Sequence, residues 1–156
     1  MGTCTNVVVG SATLSVGGSD VGFTKDGIRV RTTREYTDVQ ADQFVGLVKK
    51  AKNNEQMFVA TTLLEPTLAN LQNAWDMAAI TGSGLGDADE NYKALALVGP
   101  GPGGTTRTFT FPSAVSIADS ELNFSRDEES ALEVEFEVLK NCTTGSFGGV
   151  TDAAPA

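Results

Sequence analysis

Residues 28–40 read IRVRTTREYTDVQ, a run rich in Val, Thr, Ile and Tyr with neither proline nor glycine. Such β-branched and aromatic residues fit a pleated surface. At about 3.3 Å per residue the run extends roughly 43 Å, whereas a compact domain of this length is only about 40 Å across. The strand must therefore run the full height of the molecule or project beyond it. Residues 55–64, EQMFVATTLL, read as a second strand, and together the two make a large β-hairpin. The connection between them, residues 41–54, is expected to be a loop. It places Phe44, Val45, Leu47 and Val48 beside Lys49, Lys50 and Lys52, the only basic cluster in the chain. Apolar residues in an exposed loop call for a partner. No aromatics alternate with the lysines as stacking platforms, so nucleic-acid binding is weakly indicated.

Shorter strands surround this hairpin. Residues 12–16 and 21–24 are strand-like, with Lys25-Asp26-Gly27 between the second and the long strand as an Asp-Gly turn. Residues 92–98, 105–111 and 116–124 add further strands, the first two flanking a GPGPGG connector too rich in Gly and Pro for regular structure. Residues 130–140, SALEVEFEVLK, alternate most cleanly. Leu132, Val134, Phe136 and Val138 share one face, and Glu133, Glu135 and Glu137 share the other. A single helix is expected over about 67–80, with Pro66 suited to its first turn and Leu68, Leu71, Trp75 and Ala78 on one apolar face. Trp75 reads as the anchor of that helix on a sheet. The sequence thus predicts a mainly β fold: a β-sandwich or barrel with one flanking α-helix and a long projecting β-hairpin. All 156 residues form one domain, with an N-terminal arm at 1–11, a β core over 12–140 and a flexible C-terminal arm at 141–156.

Composition narrows the function. The net charge is −9, and its distribution is uneven: residues 1–60 carry +1 and residues 61–156 carry −10. An overall basic footprint for nucleic acid is absent, while unlike poles suit head-to-tail self-association. With no histidine, Ser/His/Asp and Cys/His catalysis and His-ligated metal sites are excluded. Cys4 and Cys142 lack metal-binding spacing and are expected as free thiols. The GxGxG at residues 82–86 follows a helix rather than a strand, so it is not a dinucleotide fingerprint. Asp87, Asp89 and Glu90 lack the spacing of a calcium loop. Glu133, Glu135 and Glu137 could imitate a glycosidase pair, but three on one strand face read as a solvated or partner-facing surface. No apolar run is long enough to span a membrane, and the N-terminus lacks the basic and apolar regions of a signal peptide. The expected class is a structural or binding protein, not an enzyme, with no cofactor and no metal.

Residues 14–27, LSVGGSDVGFTKDG, resemble the opening of bacteriophage tail tube proteins. The resemblance continues through the long strand to Asp42-Gln43. It returns at residues 63–71, LLEPTLANL, where such proteins run a strand into their single helix, and again at the acidic strand around Glu133–Glu137. It implies six copies in a ring, their long hairpins joined into an inner β-barrel, and rings stacked into a hollow tail tube that conducts DNA. The implied partners are further copies of the chain, a tape-measure protein, and tail terminator, tail-tip or baseplate proteins. The implied location is the virion tail, assembled in the host cytoplasm. The inner tube of a contractile injection system and an acidic β-sandwich ligand-binding module remain open alternatives.

If the acidic strand belongs to the inner barrel, Glu133, Glu135 and Glu137 line the bore, eighteen carboxylates in a ring of six. An acidic bore repels phosphates and lets DNA slide. Arg29 and Arg31, on the long-strand face opposite Ile28 and Val30, join them as candidate lumen residues. Cross-strand pairing would offset the repulsion by roughly 0.2–1 kcal/mol per pair. The candidates for ring stacking are Phe44, Val45, Leu47, Val48, Lys49, Lys50 and Lys52.

Overall fold

The computed structural model describes residues 2–75, 92–117 and 119–154. The elements in chain order are strands β1 (Thr13–Val16), β2 (Ser19–Asp20), β3 (Thr24–Gln40) and β4 (Leu47–Leu63), helix α1 (Leu68–Ala74), then β5 (Lys93–Pro100), β6 (Thr106–Ser116), β7 (Leu132–Val138) and β8 (Gly149–Ala153). All pairings are antiparallel, in the order β2-β1-β5-β6-β7-β4-β3. β6 serves two layers. Its first half pairs β8, from Thr106↔Ala153 to Thr110↔Gly149, and its last residues pair β7, from Ala114↔Val138 to Ser116↔Phe136. Pro112 lies between these stretches, where a residue without an N–H suits a strand leaving one ladder for another.

The sheet thereby folds on itself around one core. Leu14 and Val16 of β1, Leu95 of β5 and Phe111 of β6 meet Val59 and Leu63 of β4 and Leu132, Val134, Phe136 and Val138 of β7. Leu14, Leu63, Leu95 and Leu132 are almost fully buried, each contributing roughly 1.5–3 kcal/mol. The architecture is mainly β and sandwich-like, as the alternation over residues 132–138 implies.

Several elements differ from expectation. Asp26 and Gly27 both have positive φ, 62° and 75°, yet they sit inside β3. The register jumps there between Lys25↔Thr62 and Arg29↔Ala60, so the Asp-Gly pair forms a bulge rather than a hairpin turn. Thr61 Oγ1 donates to Gly27 O at 2.9 Å and holds the bulge against β4. β2 falls at Ser19–Asp20 instead of 21–24, and β6 ends at Ser116. The ladder of the GPGPGG connector still includes Gly99↔Arg107 and Pro100↔Thr106.

The helix also departs in detail. Its N-cap is Thr67, whose side chain accepts from Asn70 N at 3.2 Å, which puts Pro66 ahead of the cap. Its buried face is Asn70, Asn73 and Ala74, with Leu68 and Trp75 exposed. Asn70 is buried because its amide donates to Val21 O at 2.8 Å and Glu65 O at 2.7 Å, tying the helix to the strand entry. Residues 76–80 with Ala78, the GxGxG at 82–86, and Asp87, Asp89 and Glu90 lie outside the described residues.

The expected C-terminal arm contains β8, a strand on β6 fastened by Arg107, whose Nε and Nη2 donate to Asp152 at 2.7 Å each. Gly148 makes this approach possible, since a Cβ there would lie 2.0 Å from Thr110 O.

Candidate assembly surfaces: a projecting ribbon and a charged sheet face

β3 and β4 are 17 residues each, roughly 56 Å of extended chain. The support from β7 ends at Met57↔Val138. Beyond it the hairpin continues alone to a turn at residues 41–46. β3 has no buried residue along its entire length, and β4 buries only Val59, Thr61 and Leu63. Among the described residues β3 is an edge strand throughout. A two-stranded ribbon is marginal alone in water, and a long unpaired edge is a template for another chain.

The structure corrects the loop expected at 41–54. Leu47, Val48, Lys49, Lys50 and Lys52 belong to β4, and only Phe44 and Val45 of the stacking candidates sit in the turn. Phe44 is 62% exposed and Val45 fully exposed. Two of the three lysines are already engaged within the ribbon. Lys50 Nζ lies 2.9 Å from Asp38 Oδ1 and over the Tyr36 ring, and Lys52 Nζ lies 3.0 Å from Glu55 Oε2. Lys49 makes no ion pair among the described residues.

On the sheet face opposite the core, the ladders align Arg29–Ala60–Glu135 and Arg31–Phe58–Glu137 across β3, β4 and β7. Lys25–Thr62–Glu133 forms a third row. β3 and β7 are not neighbours, so the expected direct cross-strand pairing gives way to a bridge over β4. Arg31 Nη2 reaches diagonally to Glu135 Oε1 at 2.9 Å, its guanidinium 4.6 Å from the Phe58 ring centre. Gln56 Nε2 donates to Glu137 Oε1 at 3.2 Å. Lys25 turns to Glu129 instead. A groove beside it is lined by Lys25, Asp26, Asp119, Glu121 and Glu133, one cation among four carboxylates, so this end of the face is acidic.

One carboxylate gathers three cations where the ribbon leaves the domain. Glu55 accepts from Arg34 Nε at 3.1 Å, Lys52 Nζ at 3.0 Å and Lys140 Nζ at 3.0 Å, and its side chain is only 14% exposed. Lys140 first, then Lys52 and Arg34, hold its carboxyl well below the usual range, at about 2, against a desolvation that pushes the other way. The folded form therefore releases this proton more readily than the unfolded chain. The resulting stabilisation is complete above about pH 4.5 and is lost as the pH falls through 2. Glu55→Gln is expected to flatten the stability curve between those two values, as read by thermal melts across pH. A wild-type curve already flat there would contradict it. Neither this cluster nor β8 was legible in the sequence, since Lys140 is 85 residues from Glu55 in the chain.

Among the described residues no helix is long and apolar enough to cross a membrane, and no His, Cys, Asp or Glu cluster is arranged to hold a metal. Cys4 and Cys142 are exposed and unpaired with each other. No family model matches the sequence, and a comparison with curated proteins finds no match. Among solved structures the chain is similar to an Hcp protein at 11% identity, with 92% of this chain and 99% of that chain covered and a TM-score of 0.34. An overlap that loose leaves function to be argued from the chain's own surfaces.

Proposed function

We propose that this chain is a structural subunit that builds a hollow tube from copies of itself. The observation that carries the reading is the β3–β4 ribbon, which runs beyond its supporting strand with both faces and a full-length edge open. Pairing that edge with a neighbour satisfies its backbone groups and covers Val30, Tyr36 and Val39. The contact is heterologous, so it closes into a ring when its rotation permits. The sequence resemblance supplies the finer statement: rings of six stacked into a phage tail tube, with the Glu133, Glu135 and Glu137 face toward passing DNA.

In this reading the exposed tip, Phe44, Val45, Leu47 and Val48 with Lys49, meets the next ring. The tape-measure, terminator and tail-tip or baseplate proteins are its other partners, and the virion tail is its location. The chain carries out no reaction of its own. Sedimentation velocity over a concentration series, with negative-stain imaging of the heavy fractions, tests this. Rings or tubes are expected; a strict monomer at every concentration and salt level would contradict the proposal.

A further inference from the structure

A long ribbon is useful for assembly only if it leaves the domain in a fixed direction, and the ladder alone does not fix it. The last β7 pair is Met57↔Val138. Just above, the β3–β4 register shifts between Glu35↔Asn54 and Tyr36↔Lys52, a bulge where pairing is broken and a strand bends. The ribbon beyond is stiffened internally by Lys50–Asp38, while Asn53, the extra residue of the bulge, donates to Thr37 on the far side of it. Any change in the ribbon's direction would turn about this bulge.

Glu55 sits at that junction. Its Oε1 accepts from Arg34, below the bulge on β3; its Oε2 accepts from Lys52, above the bulge, and from Lys140, in the domain body just past β7. One carboxylate thus links the two sides of the bendable point to the body. Being mostly covered, it is screened less than an open surface pair. Without it, three cations would face one another across the bend and repel. The apolar groove of about 330 Å³ lined by Val30, Met57, Phe109, Phe111 and Phe147 also borders Glu55 and Lys140. A swing of the ribbon would change its width.

We propose that Glu55 is a positioning residue, a latch that sets the angle at which the outer ribbon leaves the domain. The latch is a property of the single subunit and bears on assembly only through the function proposed above. It is tested on the full-length chain at a dilution where it is monomeric, so failure of assembly and failure of the latch are separate results.

In a Cys4→Ser, Cys142→Ser background, spin labels on Val45→Cys at the tip and Thr151→Cys on β8 report the tip-to-body distance by dipolar spectroscopy. The chain with Glu55 is expected to give one narrow distribution. Glu55→Gln should widen it at least twofold at a temperature well below both melting points, and Glu55→Asp, which keeps the charge, should recover part of the narrowing. A residue that merely supported stability would lower the melting point without widening the distribution. Should Glu55→Gln fail to fold, Lys140→Met removes the link to the body, along with the ammonium's contact to the Phe147 ring within the body, and must widen the distribution likewise. A broad distribution with Glu55 present, or an unchanged width in whichever of these variants folds, overturns the latch.

Discussion

Shortening the ribbon is expected to abolish assembly while leaving a folded domain. The variant deletes residues 36–53 and joins Glu35 to Asn54 through Asn-Gly, a two-residue turn whose twist suits a hairpin. Glu35↔Asn54 is already an antiparallel pair, so the new turn closes an existing register. Every residue of the core cluster lies outside the deleted segment, and the last β7 pair at Met57 is untouched. Little buried surface is lost, so the melting point should stay within a few degrees of the full chain. The tip and the outer part of the β3 edge, residues 36–40, are gone, and the residues 24–35 that remain are too short an edge to hold a ring by themselves. Sedimentation should show only the monomer at concentrations where the full chain forms rings. Tubes forming at normal rates would make the outer ribbon irrelevant to assembly.

If the proposed tube forms, replacing Glu133, Glu135 and Glu137 together by lysine is expected to leave subunits folded and to make the channel grip DNA. The three project away from the core side chains Leu132, Val134, Phe136 and Val138 with which they alternate. Losing the Arg31–Glu135 pair costs little, about 0–1 kcal/mol for exposed partners. New lysines beside Arg29 and Arg31 add like-charge repulsion, so the triple glutamine variant serves as the neutral control. DNA retained by the lysine tubes should fall off steeply with salt, as counterion release requires, while glutamine and wild-type tubes release it freely. Lysine tubes that release DNA as fast as wild type would place the bore's charge elsewhere.

What could be read from the sequence follows from where burial imposes a pattern. Residues 132–138 are buried on one face only, so their alternation and their register face were legible at once. The long strand at 28–40 was legible from β-branched content, but its partner was half missed. LVKKAKNN at residues 47–54 shows no period of two because neither face of the outer ribbon is buried, so nothing selects for alternation. Lysines and asparagines there imitate a loop.

Asp26-Gly27 misled for a related reason. Left-handed backbone serves a bulge as well as a turn, and only the pairing partner distinguishes them. The helix stripe was right at Leu71, which packs on the core, and wrong at Leu68 and Trp75, because Asn70 is buried through two backbone hydrogen bonds that no hydrophobic pattern reveals. Glu55 left no local signal beyond the nearby Lys52. Arg34 comes from the opposite arm of the hairpin and Lys140 from beyond β7, and only the folded chain unites them.

In the proposed assembly the open β3 edge is completed by a second copy of this chain, with the Glu133, Glu135 and Glu137 face turned inward. A cryo-electron microscopy reconstruction of the assembled particles tests both halves at once. The expected result is a closed ring in which β3 residues 24–40 form backbone hydrogen bonds to the neighbouring subunit and the three glutamates line the channel. A β3 edge left open to solvent, or glutamates on the outer wall, would contradict it.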